Sequence, residues 1–326
     1  DADTMTLEDG TEADFITSRS GFQAQVHGEK GVHALGLLWP DAAPVLRAVF
    51  LEEAQAQSRT QAQPEPDISL PEQPASEATE PEQPQFTTET VAFYPGEKIT
   101  EGLDGLADRL AEYKQLGARF AKWRAVIEID ENAIPSTFGI RANAQVLARY
   151  AALCQSLDLV PIVEPEVLMD GAHGIERCEV VTSAVLETVF AELDAHRVAF
   201  EGMLLKPNMI IPGKKCPQQA SAQEVAEATI RCMKRYVPAA VPGIVFLSGG
   251  QSAEEATDNL NAMNAMGAHP WQVSFSYGRA LQAPVLAAWK GIEANATAAQ
   301  KALQKRCRLN GLARDGAYAR SMESEA

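Results

Sequence analysis

The chain has 326 residues and a formal net charge of −16. Residues 1–96 hold 17 acidic against 4 basic residues, a net of −13, while the rest hold 27 against 24 and are nearly neutral. Neither part carries a basic stripe, and no apolar run approaches the ~20 residues of a membrane span, so neither nucleic acid nor a membrane is an expected partner.

In chain order, residues 1–53 form an unassigned acidic segment. Within it GVHALGLLWP and VLRAVFLEE predict a strand and a short helix. Residues 54–92 read as a Pro/Glu/Gln-rich linker, too poor in large apolar residues to offset its conformational entropy and expected to be disordered or extended. TETVAFYP, towards its end, is the other strand-like piece of this third of the chain. Residues 93–326 have the composition of a globular region. A helix at 104–118 precedes apolar runs at 120–129, 159–164, 202–206, 243–248 and 272–277, each predicted to be a strand. Helical periodicity fills 140–157, 175–195, 221–236 and 252–266, and two more helices are expected at 281–288 and 294–307. Ser252 with Glu255 is a capping-box signature, placing a helix start just after the loop SGGQ. Strands with continuous apolar character, alternating with helices, imply an α/β fold with a parallel sheet buried on both faces.

The polar residues of these strands fall in one place. Lys122 and Arg124 share a face of the first strand. Glu164 and Glu166 close the second, Lys206 the third and Ser248-Gly249-Gly250 the fourth. Ser274, Ser276 and then Gly278-Arg279 follow the fifth. Functional groups gather at the C-terminal strand ends of (β/α)8 barrels, and glycine-rich loops after late strands hold phosphate there. Each piece also has a plain reading. Lys206 can snorkel into water, Lys122 can form a structural ion pair with Glu164 or Glu166, and SGGQS can be an ordinary turn. As a set they are harder to explain structurally, because every buried charge needs a partner. A lysine among cations in a dry site loses its proton and attacks carbonyls, neighbouring carboxylates move protons, and arginine and loop amides bind phosphate. Together these describe a Schiff-base enzyme acting on a phosphorylated sugar. Five scattered cysteines without a CxxC suggest free thiols and a cytoplasmic setting, and five histidines without a ligand spacing argue against a metal.

TEGLDGLADRL, GARFAKWRAVIEI, LVPIVEPEVLMDG, EGMLLKPNM, FLSGGQS and SFSYGRALQ, in this order, resemble class I fructose-bisphosphate aldolase over about residues 95–326. The resemblance implies a (β/α)8 TIM barrel of aldolase type whose first three strands are unrecognised in this chain. It implies reversible cleavage of fructose 1,6-bisphosphate to dihydroxyacetone phosphate and glyceraldehyde 3-phosphate, without metal or other cofactor, and a homotetrameric assembly. By the same resemblance Lys206 forms the Schiff base, Glu164 is its acid–base partner, and Glu166 and Lys122 assist. Arg124 contacts one substrate phosphate, and Ser248, Gly249, Gly250, Gly278 and Arg279 form the other phosphate site. Residues 1–94 do not match. The cleavage aspartate and a further lysine are expected on the missing strands, and Asp41 is the candidate aspartate. The alternatives are an aldolase for a different sugar phosphate and a catalytically impaired sugar-phosphate-binding or scaffold protein of aldolase descent.

Overall fold

A computed structural model describes the strands of residues 2–6, 12–18, 21–28, 31–38 and 89–91, and residues 96–130 and 134–324 throughout. The first four strands, β1 (Ala2–Thr6), β2 (Glu12–Ser18), β3 (Gly21–Gly28) and β4 (Gly31–Leu38), form an antiparallel sheet in that order. The expectation of a single strand in this segment is corrected: three strands precede the expected one. Their signal is alternation rather than an apolar run. Phe22, Ala24 and Val26 alternate with Gln23, Gln25 and His27, and Gly28 pairs with Gly31 across a short connection, the pattern of a hairpin. The short helix expected after this sheet, Asp41 and residues 54–88 of the linker lie outside the described residues. TETVAFYP yields β5 (Glu89–Val91), paired antiparallel with β6 (Lys98–Thr100).

The remainder is one parallel sheet with a helix after each strand. Its strands are β7 (Phe120–Ile127), β8 (Val160–Val167), β9 (Leu204–Leu205), β10 (Gly243–Phe246) and β11 (Gln272–Phe275), hydrogen-bonded in chain order. The helices are α1 (Leu106–Gln115), α2 (Thr137–Ser156), α3 (Ile175–Ala195), α4 (Ala222–Tyr236), α5 (Ala253–Ala265), α6 (Arg279–Trp289) and α7 (Ala296–Arg314). A doubly wound sheet reverses its strand order at a switch point; strands laid strictly in sequence are the wall of a TIM-type barrel. Among the described residues this wall has five strands, with β7 and β11 at its edges.

Alternation divides the sheet into two faces. Ala125, Ile127, Val163, Val167, Leu205, Ile244, Phe246, Val273 and Phe275 join the large core beneath the helices. On the other face Ile162, Leu204 and Val245 form a separate small cluster with Phe120 against it. That cluster is the floor on which the charged residues stand, because Lys122, Glu164 and Lys206 follow it two residues further along their chains.

The capping box at Ser252 is formed, with the Ser252 side chain on Glu255 N–H and the Glu255 carboxylate on Ser252 N–H. Ser252→Ala is expected to lower stability by about 1 kcal/mol through lost capping, measured as a fall in the urea midpoint at constant slope.

Candidate active site

Two side chains replace missing ladder bonds and so shape the site. Pro161 and Pro165 withdraw two N–H donors from β8, and β9 pairs with β8 only at Ile162 and Val163. Past that point Val167 N–H finds its acceptor in Asn208 Oδ1, at 3.0 Å. Between β7 and β8 the Tyr150 hydroxyl is inserted: it accepts from Ile162 N–H at 3.2 Å and donates to Ala121 O at 2.5 Å. Tyr150 is buried, and burial pushes its hydroxyl pKa well above the usual phenol range. This wedge from α2 sits one residue before Lys122.

The ladder extends one residue beyond β9, where Lys206 N–H donates to Val163 O at 2.8 Å. The Lys206 side chain is therefore on the same face as Glu164. Its Nζ lies 3.3 Å from Glu164 Oε1, and Lys122 Nζ lies 3.1 Å from Glu164 Oε2. Arg124 Nε pairs with Glu166 Oε2 one layer higher. Side-chain exposure falls from 43% and 41% at Arg124 and Lys122 to 14% at Lys206 and 5% at Glu164. Glu164 is thus the buried centre of a cation–carboxylate–cation row, with Lys206 its enclosed cation and Lys122 its exposed one. Burial holds Lys206 below the usual lysine pKa; Lys122 pushes the same way and Glu164 opposes both. Among the described residues Glu164 Oε2 has no hydrogen-bond partner, Lys122 standing within ion-pair distance but off a bonding direction. An amine whose pKa is lowered, touching a carboxylate, is placed to attack a carbonyl and exchange protons with that carboxylate.

Ser248, Gly249 and Gly250 follow β10 directly. Ser248 is buried and Gly249 has φ +55°, which favours glycine. Gln251 N–H donates to Ser248 O at 3.0 Å, closing the turn into α5. Gly278 caps α6 after the ladder bond from Ser276 N–H to Phe246 O. Gly278 and Arg279 are exposed at the start of α6. The structure thus gathers Lys122, Glu164 and Lys206 into one contact group and Arg124 with Glu166 into a second. The two glycine loops open at the same ends of adjacent strands. Asn208, Tyr150, Met169 and Lys214 were not singled out by sequence reasoning. Asn208 had a signal, a polar residue directly after a core strand in LLKPNM; the other three act through distant contacts.

Among the described residues no group of three or more His, Cys, Asp or Glu is placed to hold a metal. No helix among them is long and apolar enough to cross a membrane.

A parallel βα wall with a half-buried lysine against a buried carboxylate at the C-terminal ends of its strands defines an α/β protein of TIM-barrel type. The model of the family "Fructose-bisphosphate aldolase class-I" matches residues 86–326, and the chain belongs to this family. It is 55% identical over 231 residues to fructose-bisphosphate aldolase 1 of Toxoplasma gondii, covering 71% of this chain and 64% of that protein. It is 54% identical over 224 residues to fructose-bisphosphate aldolase C of Rattus norvegicus, covering 68% of this chain and 61% of that protein. The chain therefore spans just under two thirds of the length of these relatives. A solved structure of fructose-bisphosphate aldolase from Plasmodium falciparum, in complex with TRAP and a small-molecule inhibitor, superposes with a TM-score of 0.70 at 51% identity. That match covers 71% of this chain and 67% of the other.

Proposed function

We propose that the chain catalyses the reversible cleavage of fructose 1,6-bisphosphate to dihydroxyacetone phosphate and glyceraldehyde 3-phosphate through a Schiff base on Lys206. The observation that carries this is the half-buried Lys206 amine held 3.3 Å from the buried Glu164 carboxylate, with a second cation on the far oxygen. The neutral amine adds to the C2 ketone, and the carbonyl oxygen takes a proton to give a carbinolamine. Glu164 then delivers a proton to the departing hydroxyl, water leaves, and the iminium forms. That iminium draws the electron pair of the C3–C4 bond as the C4 hydroxyl gives up its proton and the aldehyde departs. Protonation of the resulting enamine and hydrolysis release dihydroxyacetone phosphate and restore the amine. Asp41, the candidate base for the C4 hydroxyl, lies outside the described residues. Arg124 at one side and the Ser248–Gly250 and Gly278–Arg279 loops at the other suit a substrate with two phosphates. Family membership supports a small-molecule sugar phosphate as ligand, homotetrameric assembly and action without a cofactor. Free thiols at Cys154, Cys178, Cys216, Cys232 and Cys307 are compatible with a cytoplasmic enzyme.

The test is borohydride trapping. After incubation with dihydroxyacetone phosphate, reduction and digestion, the adduct mass is expected on the peptide containing Lys206, alongside turnover of fructose 1,6-bisphosphate. The five-strand extent of the wall among the described residues favours one second reading, a sugar-phosphate-binding aldolase descendant without turnover. An adduct without cleavage would select that reading, and no adduct from folded protein would sink the first.

A further inference from the structure

The loops after β8 and β9 are laced together. Lys214 N–H donates to Met169 O at 2.7 Å, Lys215 N–H to Gly171 O at 3.0 Å and Gly213 N–H to His173 O at 2.8 Å. The approach is so close that a Cβ on Gly213 would stand 2.1 Å from the Gly171 carbonyl oxygen. This clip lays two side chains on the loop after β10. Met169 Sδ accepts from Gly250 N–H at 3.0 Å. Lys214 lies across Gly250, with its Cε and Nζ each 2.0 Å from where a Gly250 Cβ would stand. A side chain at position 250 would have to displace the end of Lys214.

Both contacts are weak enough to be exchanged. A thioether is a poor acceptor for a backbone N–H. The ammonium of Lys214 has Asp170 Oδ1 at 3.4 Å, but the two side chains are 41% and 67% exposed, and such ion pairs are readily given up. A phosphate group at the loop would offer Gly250 N–H and Lys214 a dianionic acceptor, to which charge-assisted bonds are about twice as strong as neutral ones.

We propose that Lys214 is a phosphate-binding residue that sets this chain's preference for phosphorylated ketones, with Met169 holding the Gly250 N–H until the phosphate takes it. The proposal rests on the Schiff-base reading above and adds to it a charge from the loop after β9.

Borohydride trapping on the full chain tests it, with dihydroxyacetone phosphate and dihydroxyacetone as paired probes and with the Lys214→Met and Lys214→Arg variants. Lys214→Met is expected to raise the half-saturating concentration of the phosphate ester about tenfold relative to that of the unphosphorylated ketone, the scale of one charged hydrogen bond. Lys214→Arg is expected to restore most of that ratio. An unchanged ratio in Lys214→Met, whether both ketones shift equally or neither does, overturns the proposal, since Lys214 then only packs the loop. If the unsubstituted chain forms an adduct with neither ketone, the Schiff-base reading falls and this one with it, so the two failures are told apart.

Discussion

Lys206→Met is expected to abolish the trapped adduct completely while leaving the fold at least as stable as before. The adduct requires the amine, and among the described residues the other lysine on Glu164, Lys122, is 41% exposed against 14% for Lys206. Stability moves the other way because burial disfavours the ammonium. Methionine keeps the aliphatic reach without the charge, and Glu164 retains Lys122 at 3.1 Å. A gain of about 1 kcal/mol in urea unfolding is expected, because the lowered pKa marks the ammonium as a net cost to the fold and Glu164 keeps one of its two counter-ions. The pH dependence follows from the lowered pKa of Lys206. Below its folded value both native and unfolded chains hold the proton, and the burial penalty is fully present. Between that value and the ordinary 10.5 the native lysine is neutral while the unfolded one is charged, so stability rises with pH. Lys206→Met should lack that rise. A variant destabilised by more than ~2 kcal/mol would show instead that Lys206 serves Glu164 as a structural counter-ion.

Much of this site was legible because the sheet enforces period two. Phe120, Lys122 and Arg124, then Ile162, Glu164 and Glu166, repeat an apolar-then-charged order along one face, and the register sets Arg124 opposite Glu164. Alternation alone therefore placed the charged residues together at one end of the strands. What stayed hidden has two physical causes. The apolar run ends at Glu164, yet β8 continues through Pro165 to Val167 because Asn208 supplies the acceptor that Val167 needs. The Tyr150 wedge and the Lys214 contact with Gly250 join residues far apart in sequence, which no local pattern records. Upstream, Gly21–Gly28 carries no apolar run, its hydrophobic residues alternating with glutamine and histidine. β7 and β11 end the sheet among the described residues, and unpaired strand edges call for covering chain or a partner. Thr100 covers part of the β7 edge by donating to Arg124 O at 2.9 Å.

Asn208→Ala is expected to destabilise the chain by about 3 kcal/mol and to slow adduct formation on Lys206 with it. Asn208 is buried, and its two side-chain ends face different parts of the site. Oδ1 takes Val167 N–H at 3.0 Å, while Nδ2 donates to Met209 O at 3.0 Å and to Thr182 Oγ1 on α3 at 3.1 Å. The alanine leaves the Val167 donor and the Met209 acceptor without this partner in a region with little access to water, which is what makes the loss larger than that of an average hydrogen bond. The effect reaches the lysine because the intervening Pro207 is pinned on its other side, its carbonyl accepting from Leu247 N–H at 3.1 Å. Lys206, Pro207 and Asn208 are thus held between β8 and β10, and loosening one end frees the backbone that aims the amine at Glu164. Thr182→Val removes only one partner of Nδ2 and should cost about 1 kcal/mol, with adduct formation nearly intact. Urea titrations and trapping time courses on the two variants separate these effects. If Asn208→Ala lost no more stability than Thr182→Val, the Val167 N–H would have another acceptor, and Asn208 would not be what positions the lysine.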